Sequence, residues 1–149
     1  MGAVASQPGD NSRIAEGLLE AYNDGDWERF RAGHAPDVVY EEIGTGQRAE
    51  GIDEYLQLLR GWEQAIPDGT GTTRRMVESG DTVVTELVWT GTQSGDLQTP
   101  GGTLPASGRQ IEIEATMWSV FEGDKVRETR HYVDIMTMLQ QLGADTTPS

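Results

Sequence analysis

The sequence contains no cysteine. That excludes disulfides, thiolate zinc sites and cysteine nucleophiles together. Positive charge is also scarce: 11 basic residues stand against 25 acidic ones, for a net charge of −14. Arg74 and Arg75 are the sole adjacent basic pair. Without a basic stripe to replace phosphate counterions, no nucleic-acid partner is expected. The same acidity repels anionic membranes, and no apolar run approaches the roughly 20 residues that span a bilayer. The first ten residues lack the basic start and apolar centre of a signal peptide. A cytoplasmic protein without a membrane partner is expected. Hydrophobic residues make up 36% of the chain, a low share, while glycine is plentiful at 19 residues.

What is present is periodic. The 149 residues suit one domain with one core. Residues 1–10 and 144–149 are small and polar and read as loose tails around a domain spanning 11–143. Asn11 or Ser12 is placed to cap a first helix carrying Ile14, Leu18, Ala21 and Tyr22 on one face. Asp26 is placed to cap a short second helix with Trp27 and Phe30, ended by Gly33. A strand over 38–43 and a polar loop with Gly44 and Gly46 follow. Ile52, Tyr55, Leu56, Leu59, Trp62 and Ile66 then recur at three-four spacing, until Pro67 stops this third helix.

Beyond that point the period falls from about 3.6 to 2. Strands are expected over 72–78, Thr82–Thr92, 110–121 and Lys125–Val133. The Gly- and Pro-rich stretch 94–108 reads as a flexible flap near a pocket mouth. In the third of these strands Ile111, Ile113, Ala115, Met117, Ser119 and Phe121 share a face opposite Glu112, Glu114 and Thr116. Trp118 and Val120 interrupt the polar face, a hint that another subunit covers it. Asp134 is placed to cap a final helix that Gly143 stops. Helices segregated from a strand meander define an α+β fold.

Two histidines and scattered acids show no metal-ligand spacing, so no metal is expected. His131 lies mid-strand and titrates near neutrality, which suits acid/base work; a buried, hydrogen-bonded histidine is the bland alternative. Tyr40 and Glu42, two apart, share a strand face. A carboxylate there either faces the interior, raised in pKa or paired with His131, or sits solvated at a rim. His34 follows a helix end and reads as a partner of the helix dipole. Asp134 reads as a cap, and its spacing from His131 puts the two on opposite faces. Tyr22, Trp27, Phe30, Trp62 and Trp89 are core or pocket aromatics.

Several runs carry a family resemblance. They are Ala21-Tyr22-Asn23-Asp24-Gly25-Asp26, Ala35-Pro36-Asp37-Val38-Val39-Tyr40, and Trp62 with Ile66-Pro67-Asp68. Thr99-Pro100 with Pro105-Ala106-Ser107-Gly108-Arg109 follows, then Arg130-His131-Tyr132-Val133-Asp134 with Leu139-Gln140-Gln141-Leu142-Gly143. In order and spacing the chain resembles the SnoaL-like polyketide cyclases of the nuclear-transport-factor-like superfamily, over roughly residues 12–143. The resemblance implies a cone: a strongly curved antiparallel sheet with three N-terminal helices on its concave face and a short C-terminal helix.

It also implies a largely apolar pocket, walled here by Tyr22, Trp27, Phe30, Trp62, Leu87, Trp89, Met117 and Ser119. Founding members close rings by intramolecular aldol chemistry with no metal or nucleotide cofactor, and relatives include epoxide hydrolases and isomerases. The cyclases' acid/base aspartate corresponds to His131, and a pocket histidine of theirs to Met117. The Arg and two Asp of the epoxide hydrolases correspond to Leu87, Trp89 and His131. Relatives place a tyrosine and an amide at the positions of Tyr40 and Glu42. The leading expectation is cofactor-independent proton transfer on a polyketide-like or other hydrophobic carbonyl compound, with His131 moving the proton and Glu42 or Tyr40 assisting. A ligand-binding protein without catalysis and a rewired epoxide hydrolase are the alternatives. A homodimer through the outer sheet face is expected by analogy.

Overall fold

The structure, a computed structural model, describes residues 9–99 and 101–144. The expected tails therefore lie almost wholly outside the described residues. Of the stretches read as tail, Gly9 and Asp10 open the first helix, and the Ala144 amide returns a hydrogen bond to the Leu139 carbonyl at 2.9 Å.

Helix α1 spans Asp10–Asp24 and buries Leu18 and Ala21. Its N-cap is Gly9, not Asn11 or Ser12, and no side chain caps it. Ser12 is engaged elsewhere: its amide and hydroxyl donate to Glu78 at 2.9 and 2.7 Å. Helix α2, Trp27–Ala32, is capped by Asp26, whose carboxylate accepts from the Arg29 amide. Strand β1 begins at His34 and runs to Ile43, four residues earlier than the sequence suggested. Part of the loop after it forms a short strand β2, Arg48–Glu50, that pairs back on β1. Helix α3, Ile52–Ala65, follows its apolar spacing and buries Ile52, Tyr55, Leu56 and Leu59.

Strands β3 (Thr70–Ser79) and β4 (Thr82–Thr92) form an antiparallel pair. The stretch read as a flap instead forms a small hairpin of β5 (Leu97–Thr99) and β6 (Gly102–Leu104). Fully buried Gln93 ties it down. The Gln93 amide donates to the Gly95, Leu104 and Pro105 carbonyls at 3.2 Å and accepts from the Ser107 hydroxyl at 2.6 Å. Polar satisfaction of one buried amide thus fixes what composition alone suggested would be loose. Strands β7 (Gln110–Glu122) and β8 (Lys125–Val133) complete the main sheet. Helix α4, Ile135–Gln141, starts at Asp134, which accepts from the Thr137 amide at 3.1 Å as an N-cap should.

The main sheet has the order β2-β1-β8-β7-β4-β3. Its neighbours are antiparallel except β1 and β8, which run parallel. An all-antiparallel sheet was expected; the chain leaves β1 through β2 and α3 and returns beside it as β8 only after β3–β7, a long connection that permits the parallel pairing. Register breaks between Thr73 and Arg75 and between Val120 and Phe121 bend the strands and curve the sheet. One hydrophobic cluster joins α1, α2 and α3 to β1, around Leu18, Tyr40, Tyr55 and Leu59. A second joins the end of α3 to β5, β7 and α4, around Ile66, Ile113 and Met138. The inward alternation of β7 holds: Ile111, Ile113, Ala115, Ser119 and Phe121 are buried, while Trp118 on the other face is 45% exposed.

Candidate active site

Between the helices and the concave face lies a cavity of about 110 Å³, lined mainly by apolar side chains. Sheet register decides what faces it. Glu42, His131, Met117 and Thr85 occupy one rung across β1, β8, β7 and β4. Tyr40, Thr129, Ser119 and Val83 occupy the next. The parallel β1–β8 pairing therefore sets the Tyr40 and Glu42 pair beside His131, although 91 positions separate Tyr40 from His131.

These three side chains form one hydrogen-bonded chain. All are buried: Tyr40 is 1% exposed, Glu42 2% and His131 7%. The Tyr40 hydroxyl lies 2.6 Å from Glu42 Oε2 and 2.9 Å from His131 Nδ1. The Trp89 indole N–H donates to His131 Nε2 at 3.1 Å. An indole N–H can only donate, so Nε2 is the unprotonated nitrogen and the ring proton sits on Nδ1. Nδ1–H donates to Tyr40 Oη, and the Tyr40 hydroxyl donates to Glu42. Every bond points toward the carboxylate. Glu42 also accepts from the Trp62 indole at 3.0 Å, the Thr45 hydroxyl at 2.7 Å and the Gln47 amide at 3.3 Å. All these partners are donors, the set that an ionised carboxylate accepts.

Burial sets the proton affinities. It pulls His131 down to about 4, so the ring is neutral at pH 7. Burial first, and then the Glu42 charge, pushes Tyr40 well above its ordinary value, so the hydroxyl keeps its proton. Burial, with Glu63 and Glu42 nearby, raises Tyr22 to about 12. The Tyr55 ring stacks on Tyr40 at 4.3 Å and 16° and locks it in place.

Of the aromatics read as pocket wall, Tyr22, Phe30, Trp62 and Trp89 line the cavity, as do Leu87, Met117 and Ser119. Trp27 is not among the lining residues; it packs edge-on against Tyr22 at 5.7 Å and Phe30 at 6.1 Å. Glu42 is interior and not at a solvated rim, and it reaches His131 through Tyr40 and not directly. His34 is buried and neutral, drawn down to about 4 by burial, and its Nδ1 bonds the Phe30 carbonyl at 2.7 Å. It meets the end of α2 as a hydrogen-bond donor and not as a charge on the dipole. Among the described residues, no group of three or more His, Cys, Asp or Glu side chains is placed to hold a metal ion.

Sequence reasoning missed four participants. Tyr55 passed for one more apolar position of α3. Thr45 and Gln47 reach Glu42 only because β2 folds back on β1. Thr73 faces the cavity with a buried hydroxyl that has no protein partner. Trp62 and Trp89 were read as wall, and their role as N–H donors depends on ring orientation that spacing does not encode.

The SnoaL-like polyketide cyclase family model matches residues 12–142. The chain belongs to that family. Among solved structures similar to this SnoaL-like protein is the putative polyketide cyclase IdmH from Streptomyces antibioticus. It is 32% identical, with a TM-score of 0.76 over 90% of this chain and 99% of that one. A putative SnoaL-like polyketide cyclase from Jannaschia sp. CCS1 is 20% identical, with a TM-score of 0.82 over 96% and 99% of the two chains. An epoxide hydrolase from M. tuberculosis is 20% identical, with a TM-score of 0.69 over 89% of each. The last two likenesses establish the fold alone. No curated protein matches. No helix among the described residues is long and apolar enough to cross a membrane.

Proposed function

We propose that this SnoaL-like protein is a cofactor-independent enzyme that moves a proton next to the carbonyl of a hydrophobic, polyketide-like compound, as a cyclase or isomerase. One observation carries the reading: a neutral imidazole, its unprotonated nitrogen paired with the Trp89 N–H at the wall of an apolar cavity, is backed by Tyr40 and Glu42. In the reaction Nε2 takes a proton from the carbon beside the carbonyl. The C–H electron pair becomes the enolate double bond, and the carbonyl pair moves onto oxygen. The imidazolium that forms keeps Nδ1–H on Tyr40, and the Glu42 charge behind Tyr40 stabilises it. Ring closure follows if the enolate carbon attacks a second carbonyl and the Nε2 proton goes to the new alkoxide. Isomerisation follows if that proton returns to a different carbon. Both outcomes are redox-neutral, and the apolar walls hold the substrate in a reactive fold.

The test uses α-tetralone, a bicyclic ketone, in D₂O. The protein is expected to accelerate deuterium exchange beside the carbonyl, as followed by NMR. His131→Gln is expected to cut the rate by about 10²–10⁴-fold with little change in binding. A second reading, ligand binding without catalysis, draws on the occupation of Nε2 by Trp89. Binding of the ketone with no acceleration by the unmodified protein would favour it and overturn the enzyme.

Homodimerisation through the outer sheet face is part of the same reading. Trp118 at 45% and Tyr132 at 38% exposure support it, with Arg130 lying 5.6 Å above the Tyr132 ring. Light scattering at micromolar concentration is expected to give the mass of two chains, and Trp118→Lys the mass of one. A monomer for the unmodified protein overturns it.

A further inference from the structure

The lone pair that the proposed base must use is already taken. His131 Nε2 accepts the Trp89 N–H at 3.1 Å, and both side chains line the cavity. An indole N–H that faces an apolar cavity needs an acceptor, so leaving Nε2 without a new one is costly. A substrate carbonyl supplies one. In a ketone the oxygen and the adjacent carbon lie about 2.4 Å apart, from standard C=O and C–C lengths. Trp89 Nε1 and His131 Nε2 lie 3.1 Å apart, a span that the two ketone atoms can bridge side by side when each contact converges slightly. A ketone laid across the pair puts its oxygen on the indole and its acidic C–H on the imidazole at the same time. Tyr22 packs edge-on against the Trp89 ring at 5.2 Å and 74°, which keeps the indole at the cavity wall beside His131.

We propose that Trp89 is a catalytic residue whose indole N–H passes from His131 Nε2 to the substrate carbonyl, unmasking the base as it polarises the bond. This rests on the reading of His131 as the base. Trp89 caps the unprotonated nitrogen of His131. A bound carbonyl removes the cap and gains the donor that stabilises the enolate oxygen as charge builds. The atoms balance: the proton leaves carbon for Nε2, its electron pair ends on the oxygen, and Trp89 keeps its own hydrogen throughout. The substrate class follows, since a ligand without a carbonyl or similar acceptor beside an acidic C–H leaves the cap in place.

Two measurements test it, both with α-tetralone as probe. In the unmodified protein labelled with ¹⁵N, saturating ketone is expected to shift both the Trp89 indole N–H and the His131 Nε2 resonance. Binding reported by the Met117 and Met138 methyls, with those two signals unmoved, overturns the proposal. In Trp89→Phe the ring remains and the donor goes. Loss of an oxyanion donor costs about 100-fold in kcat, and release of the masked base returns a small part, so a net fall of at least about tenfold with little change in KM is expected. Exchange by Trp89→Phe as fast as in the unmodified protein overturns the switch while the base stands. Exchange by His131→Gln as fast as in the unmodified protein removes the base, and the switch with it.

Discussion

Replacing Tyr40 by Phe removes one oxygen atom and leaves the aromatic stack on Tyr55 intact. That atom accepts from His131 Nδ1 at 2.9 Å and donates to Glu42 at 2.6 Å. Because Trp89 holds the proton of His131 on Nδ1, the imidazole cannot change tautomer to escape, and a buried N–H is left without an acceptor. Such an orphan costs about 1–3 kcal/mol, and a lost hydrogen bond to a charged group about 1.5–3 kcal/mol. Partial relaxation of the carboxylate toward Trp62, Thr45 and Gln47 offsets some of this. The expected loss is about 3 kcal/mol, or roughly 6–12 °C in Tm for a chain of this size. Urea unfolding followed by tryptophan fluorescence measures it, with an unchanged slope showing that the denatured state is not what moved. Tyr55→Phe, which loses only a hydroxyl bonded to Thr129, is the comparison and is expected to cost about 1 kcal/mol. If Tyr40→Phe is no less stable than the parent, the hydrogen-bonded chain does not exist as described.

Burial holds His34 and His131 at about 4, whereas the unfolded chain protonates at the ordinary 6.5, so stability is full above pH 6.5 and is lost as pH falls toward 4. Each histidine contributes on the order of 3 kcal/mol, read as a falling urea midpoint across that window, and His131→Gln is expected to flatten the fall. At Gly71 an added Cβ would meet Leu19 at 2.7 Å and Trp89 at 2.9 Å, while Asn23 clamps the Gly71 amide and carbonyl at 2.9 Å each. With the backbone unable to retreat, Gly71→Ala is expected to lose about 1–3 kcal/mol and to slow α-tetralone exchange by displacing Trp89. Asp134→Ala removes the bonds to the Thr137 amide and hydroxyl and is expected to cost about 1 kcal/mol by thermal unfolding.

The features legible in the sequence are those that repeat locally. The three-four spacing from Ile52 to Trp62 gives α3, and the alternation from Ile111 to Phe121 gives β7. The two-residue spacing of Tyr40 and Glu42 put them on one face, and the structure turns that face inward. Pairing between distant segments is another matter. Nothing near Val39 in the sequence says that β1 will run parallel to β8, yet that choice sets Glu42 opposite His131. Nothing near Ser94 says that buried Gln93 will gather three carbonyls and tie the following hairpin down. The indole donors belong to the same class, because a tryptophan at an inward position packs in many orientations and only a partner from another strand selects one. His34 shows the converse: a local rule about helix ends pointed to the right neighbour, the Phe30 carbonyl, but burial removed the charge the rule assumed.

The parallel seam between β1 and β8 has a consequence for how the protein comes into being. During synthesis Tyr40 and Glu42 emerge long before His131, and only β8 can close the interior over them. A nascent chain lacking that last strand would leave a carboxylate in a half-built greasy shell with its tyrosine partner unanchored. Loop closure over such a span is slow, so the Tyr40–Glu42–His131 chain of hydrogen bonds is among the last parts of the molecule to come together.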